Sequence, residues 1–203
     1  MRRDTNSNQS SLRGISTRIL NSVIFLAGIA VYGAETTAKS VFQNGDLNAI
    51  QKMNPVRVKQ LQKNNNVAVD DIMPLSWFFN GKNSKLEMCQ NPDNPKDYYA
   101  KLTGGVLCQI YYGKAKNYRI TFRAKGPGKM RFSAYRYIAD ENRKIKKYIG
   151  TKILVSGLTL GEEWKHYSYV LRKEFDDEVF APAFVHRTGE ICIDDVVITD
   201  EAK

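Results

Sequence analysis

The chain has 203 residues, enough for one domain with a full core and too few for two large ones. Its make-up, 42% hydrophobic and 26% charged, excludes both a disordered polymer and a multispanning membrane protein. The net charge is +10; Arg2, Arg3, Arg13 and Arg18 against Asp4 give +3 of it to the first 34 residues, and the remaining +7 is spread along the chain. A nucleic-acid footprint would gather its lysines and arginines on one face or helix, so this diffuse basicity points away from nucleic acid as a partner.

In chain order, residues 1–34 have the form of an export signal: arginines, then the apolar stretch Ile19–Ala34, then a polar sequence from Glu35. That stretch is shorter than the ~20 apolar residues needed to span a bilayer, and it contains Asn21 and Ser22. Cleavage after Gly33 or Ala34 is the expectation, with an uncleaved anchor as the alternative. The mature protein is then secreted, periplasmic or on the cell surface, with no membrane span, and its oligomeric state is open. Export permits disulfides. Of the three cysteines, Cys89 and Cys108 form the expected pair, and Cys192, among isoleucines, is expected to be a small buried hydrophobe. A metal cage is not indicated, because the chain has only His166 and His186 and lacks a C-x-x-C.

Residues 35–40 are a short polar lead-in, and a single domain over 41–203 follows. Val41-Phe42 enters Asn44-Gly45-Asp46, a turn signal. Residues 49–72 read as an inserted loop: Gln, Lys and Asn dominate its first part, Pro55 interrupts it, and one helical turn is expected inside it. Leu75–Asn80, Tyr98–Thr103 and Val106–Tyr112 are strand-like. Tyr118, Ile120, Phe122 and Ala124 alternate with Arg119, Thr121 and Arg123, and after Gly126-Pro127-Gly128 the alternation resumes with Met130, Phe132 and Ala134. Lys144–Leu154, Trp164–Lys173, Val179–His186 and a closing strand over residues 189–198 complete the series. Short strands separated by Gly, Pro, Asn and Asp turns, without a long helical period, predict an all-β, antiparallel jelly-roll sandwich.

The closing strand carries Asp194 and Asp195 inside a run of Ile, Val and Cys. Carboxylates in a nearly all-apolar strand need a bound cation or backbone amides to offset their burial. Catalytic signatures are missing: there is no G-x-S-x-G, no G-x-x-x-x-G-K-[ST] and no H-E-x-x-H. The acid pairs Glu162-Glu163, Asp176-Asp177 and Asp194-Asp195 are adjacent in sequence, and neighbours on a strand point to opposite faces, unlike the facing carboxyls of a glycosidase.

Four strings in order resemble the carbohydrate-binding modules of families four and nine, which share the galactose-binding-like jelly roll. They are Asn44-Gly45-Asp46-Leu47, the strand Asn117–Gly126, Trp164-Lys165-His166-Tyr167, and Gly189–Val196 with its Ile193-Asp194-Asp195-Val196. The resemblance spans about residues 41–199 and departs from the family at Leu47, Asn48 and the 49–72 insertion. It implies a non-catalytic module that binds a poly- or oligosaccharide, of the kind that accompanies glycoside hydrolases. It also implies a structural calcium where the first and last strands join, with Asp194 as the matching ligand and Asp46 assisting, and Trp77 and Trp164 as framework.

The residues themselves offer one surface for a sugar. On the polar side of the two central strands lie Arg119, Thr121 and Arg123 beside Arg131, Ser133, Tyr135 and Tyr137. Tyrosines can stack on the apolar face of a pyranose ring while arginines bond its hydroxyls. The alternative is that both tyrosines pack under the insertion or against the stems of neighbouring arginines. A cell-surface adhesive sandwich that binds protein is the second functional reading, and a hydrolase with an unfamiliar acid pair is the third.

Overall fold

A computed structural model describes residues 42–201; the expected export signal and lead-in, residues 1–40, fall outside the described residues. Strands dominate: β1 Ile50–Lys52, helix α1 Pro55–Gln62, β2 Val67–Ala68, β3 Ile72–Pro74, β4 Phe78–Asn80, β5 Lys85–Asn91, β6 Asn94–Thr103 and β7 Val106–Cys108. There follow β8 Asn117–Lys125, β9 Lys129–Ala139, β10 Ile145–Thr159, β11 Lys165–Arg172, β12 Glu178–Thr188 and β13 Ile191–Asp200. They form a six-stranded sheet, β11-β8-β13-β6-β5-β2, a five-stranded sheet, β10-β9-β12-β7-β4, and a β1-β3 ribbon. This is the expected jelly-roll sandwich. No described helix is long and apolar enough to cross a membrane.

The core follows from the alternation along the strands. Tyr118, Ile120, Phe122 and Ala124 of β8 are buried and face Met130, Phe132 and Ala134 of β9 and Phe180 and Phe184 of β12. Phe122, Phe132 and Phe184 lie 4.8–5.1 Å apart centroid to centroid, and Trp77 joins them 6.1 Å from Phe184. Edge-to-face and tilted rings at such distances add about 0.5–1.5 kcal/mol per pair beyond the area they bury. Trp77 is therefore framework, as expected, and its Nε1 donates to the Asn44 carbonyl at 2.9 Å.

Three expectations change. The helical turn expected in the insertion is a two-turn helix, because Asn54-Pro55 starts it: Asn54 Oδ1 accepts from the Arg57 amide at 2.9 Å, and Pro55 takes the first helical position, where no N–H is needed. The strands β8 and β9 are not neighbours. β8 pairs with β11 and β13, and β9 with β10 and β12, so the Gly126–Gly128 connection crosses from one sheet to the other. Those glycines are forced by close approach, since a β-carbon on Gly126 or Gly128 would lie 2.4 or 2.5 Å from the Glu190 carbonyl oxygen. Finally, all three cysteines are free thiols. Cys89 on β5 and Cys108 on β7 belong to different sheets, which removes the expected disulfide, while Cys192 is buried as expected.

The first described residues are stitched to the last strand: the Val196 amide donates to the Gly45 carbonyl at 2.7 Å. A β-carbon on Gly45 would sit 1.9 Å from the Val196 carbonyl oxygen and 3.1 Å from the Phe42 ring. Gly45→Ala is thus expected to lower the unfolding free energy by about 1–3 kcal/mol, read as a drop in the urea midpoint.

Candidate functional site

On β9 the residues that alternate with the core, Arg131, Ser133, Tyr135 and Tyr137, point away from it, on the outer face of the five-stranded sheet. The register of β12 sets Val185, Ala183, Ala181 and Val179 opposite them, in that order. Small side chains opposite Ser133 and Tyr135 leave the tyrosine ring flanked by backbone and methyl groups rather than by bulk. On the other side β10 brings Thr151 opposite Tyr135 and Tyr148 opposite Tyr137, with the Tyr137 and Tyr148 rings 5.5 Å apart. Tyr135 is half-buried and Tyr137 is buried, against its β10 neighbour. Burial pushes both phenols above their usual pKa, so they are neutral hydrogen-bonding groups at physiological pH.

Two polar atoms on this face have no protein partner. Ser133 Oγ and Arg131 Nε are buried without a hydrogen bond, and Arg131 makes no ion pair among the described residues. Each such group costs free energy unless something else satisfies it. Cys108 comes to the same face from β7, opposite Ala183, and its burial pushes the thiol up to about 12, so it stays protonated.

Where β9 and β12 run out, the face continues into a cleft of ≈ 780 Å³ lined by Tyr112, by the β9–β10 turn from Ala139 to Arg143 and by Asp176–Val179. The Arg143 guanidinium lies over the Tyr112 ring, 5.7 Å from its centroid. The cleft walls are tied down from behind. Lys173 is buried, its Nζ donates to the carbonyls of Gly113 at 3.0 Å and Asp176 at 3.3 Å, and burial holds its pKa below the usual lysine value. Tyr112 and Tyr148 were not among the candidates read from the sequence. Each sits in a stretch expected to be strand, but only the strand order shows which face it joins.

The other expected site residues are on the opposite sheet. Arg119 on β8 is held by Glu201, and Arg123 by Asp194 and Asp195, so neither joins the tyrosines. Trp164 is not framework. It lies half-buried on the outer face of the six-stranded sheet, with the Lys125 ammonium 4.9 Å and the Arg123 guanidinium 5.3 Å from its centroid and the Tyr99 ring edge-on at 5.4 Å.

No family model matches the chain, and no curated protein matches it. Solved structures with a similar trace include the CBM22-1 xylan-binding domain of Paenibacillus barcinonensis Xyn10C, at 12% identity and a TM-score of 0.46, over 63% of this chain and 88% of that one. A CBM4 structure aligns at 15% identity and 0.47, over 78% of this chain and 99% of that one. TmCBM61, solved with β-1,4-galactotriose, aligns at 17% and 0.43, over 63% and 90%. These likenesses concern the trace alone, and the ligand has to be argued from the residues.

The side chains at the implied calcium position do not gather the six to eight oxygens that a hard cation takes. Among the described residues no three acidic, histidine or cysteine side chains come together. Asp46 is exposed and turned to Asn48, which lies 3.4 Å away through both its amide and its side chain. Asp194 is 2% exposed; its Oδ1 accepts the Asp195 amide at 2.7 Å and its Oδ2 accepts Arg123 Nη2 at 2.6 Å. Burial and then the neighbouring Asp195 push its carboxyl up to about 6, an effect the amide and Arg123 offset only in part.

Proposed function

We propose that this protein is an exported, non-catalytic carbohydrate-binding module that holds a poly- or oligosaccharide on the outer face of its five-stranded sheet. The observation that carries this reading is the half-buried Tyr135 ring beside Arg131, a part-exposed guanidinium that makes no ion pair among the described residues. Tyr135, with the buried Tyr137 behind it, offers an aromatic flank, and the part-exposed Arg131 side chain offers hydrogen-bond donors next to it. A sugar ring presents an apolar face and a fringe of hydroxyls, which matches that combination. Arg119 and Arg123 drop out of the site because carboxylates already hold them.

A binding role rather than hydrolysis is supported by how three of the five carboxylates lining the cleft are used. Asp140 holds Lys146 at 2.8 Å, Asp176 holds Lys116 at 3.3 Å and Glu178 holds Arg136 at 2.7 Å. Acids neutralised by resident cations are poorly placed to trade a proton with a glycosidic oxygen.

Affinity electrophoresis against plant, algal and bacterial polysaccharides tests the proposal. Wild type should be retarded by at least one of them. Tyr135→Ala, which removes a half-buried ring, should bind about tenfold more weakly, the equivalent of ~1.4 kcal/mol. Wild-type migration unchanged across the whole panel would overturn the module reading in favour of an adhesive, protein-binding sandwich. Equal retardation of wild type and Tyr135→Ala would overturn the site.

A further inference from the structure

We infer that a resident guanidinium, that of Arg123, fills the position where the resemblance implies a structural calcium, so that the fold closes without metal. The geometry is a fork across two adjacent carboxylates. Arg123 Nη2 lies 2.6 Å from Asp194 Oδ2, and Nε lies 2.6 Å from Asp195 Oδ2, the latter a close ion pair off hydrogen-bond alignment. The backbone is shaped to present both acids to one group. The register between β8 and β13 breaks between Asp194 and Val197, and Asp195 takes a left-handed φ of 47° within that break. In an unbroken strand the two carboxylates would point to opposite faces. The bulge brings them to the same side, and the cation they meet is a side chain from the neighbouring strand.

Arg123 is fixed on a third side by the Trp164 ring, 5.3 Å from its guanidinium carbon, and it is 25% exposed while Asp194 is 2% exposed. A divalent ion bound at these carboxylates would lie beside a positive charge already in contact with them. The guanidinium is also the better match, because its planar fork meets two oxygens at once, whereas calcium would need a further four or more, and the side chains here do not gather them. The junction of the first and last segments is made by the direct Val196-to-Gly45 bond and does not call on an ion.

Thermal unfolding of the whole chain, with excess calcium chloride and again with EDTA, tests this independently of glycan binding. Wild type should melt at the same temperature in both, within about 1 °C. Arg123→Met, which leaves Asp194 buried without its partner, should melt about 5–10 °C lower than wild type, in calcium chloride and in EDTA alike. A wild-type melt that rises by more than about 3 °C with calcium would overturn the inference. So would an Arg123→Met variant that melts like wild type, since the guanidinium would then not be what offsets the buried carboxylate. Should Arg123→Met fail to fold, calorimetric titration of wild type with calcium chloride decides alone: absence of binding supports the inference, and a site titrating at one ion per chain overturns it.

Discussion

Glu178→Ala should lower the unfolding free energy by about 3–5 kcal/mol, the cost of taking a buried carboxylate from two backbone amides and from the Arg136 guanidinium, which keeps only the exposed Glu174 at 2.9 Å. Glu178 is 0% exposed, and its two oxygens take Arg136 Nε at 2.7 Å and Nη2 at 2.8 Å. Oε2 also accepts the amides of Glu174 at 2.8 Å and Phe175 at 3.4 Å, so the loop that walls the cleft hangs on this carboxylate. Burial alone would raise its pKa, but the Arg136 fork and the two amides outweigh burial and hold it below the usual carboxylate range. A folded pKa below the unfolded one adds stability that is complete above the unfolded value, near 4.5, and is lost as the pH falls through the lower folded value. Urea denaturation should therefore show wild type losing stability below about pH 4.5, with a shallower loss for Glu178→Ala. A cost under about 1 kcal/mol would mean that Glu174 and water satisfy Arg136 once Glu178 is gone.

Phe184→Ala should cost a similar ~3–5 kcal/mol, for a different reason. Its ring is fully buried where the two sheets meet, 4.9 Å from Phe122 of β8 and 5.1 Å from Phe132 of β9. Removing it takes away transfer free energy and leaves a cavity between walls that are themselves rigid rings, which have little freedom to close in. The melting temperature should fall by more than about 6 °C with an unchanged urea m-value. Phe184→Leu should recover part of the loss, because it restores most of the volume without the ring contacts.

The sandwich was legible because a half-buried strand writes its burial into every second residue, as in Tyr118–Ala124 and Met130–Ala134. What could not be read was which strand lies next to which. Gly126-Pro127-Gly128 has the composition of a tight hairpin, and only its packing against the Glu190 backbone shows that it carries the chain between sheets. That one ambiguity put Arg119 and Arg123 beside Tyr135 and Tyr137, when a whole sheet separates the two sets. β5 also went unrecognised: Leu86 and Met88 alternate with Lys85 and Glu87, but the segment lacks the β-branched and aromatic residues that mark a strand. In the insertion, Pro55 read as a breaker although, after an asparagine cap, proline is a helix starter. The buried carboxylate of the closing strand was legible as a problem that needed a counter-charge. Its solution was hidden, because the residue that supplies it lies 71 positions earlier in the chain.

The outermost strand of the five-stranded sheet, β10, runs for 15 residues, and among the described strands β9 is its sole neighbour in that sheet. A ribbon of that length, rich in isoleucine and valine, would ordinarily be an invitation for a second molecule to add itself by backbone pairing. Four register irregularities break its flatness, and Lys146, Lys147 and Lys152 place positive charges along it. Two copies approaching rim to rim would meet like charges on a kinked template, an arrangement that disfavours pairing through that border.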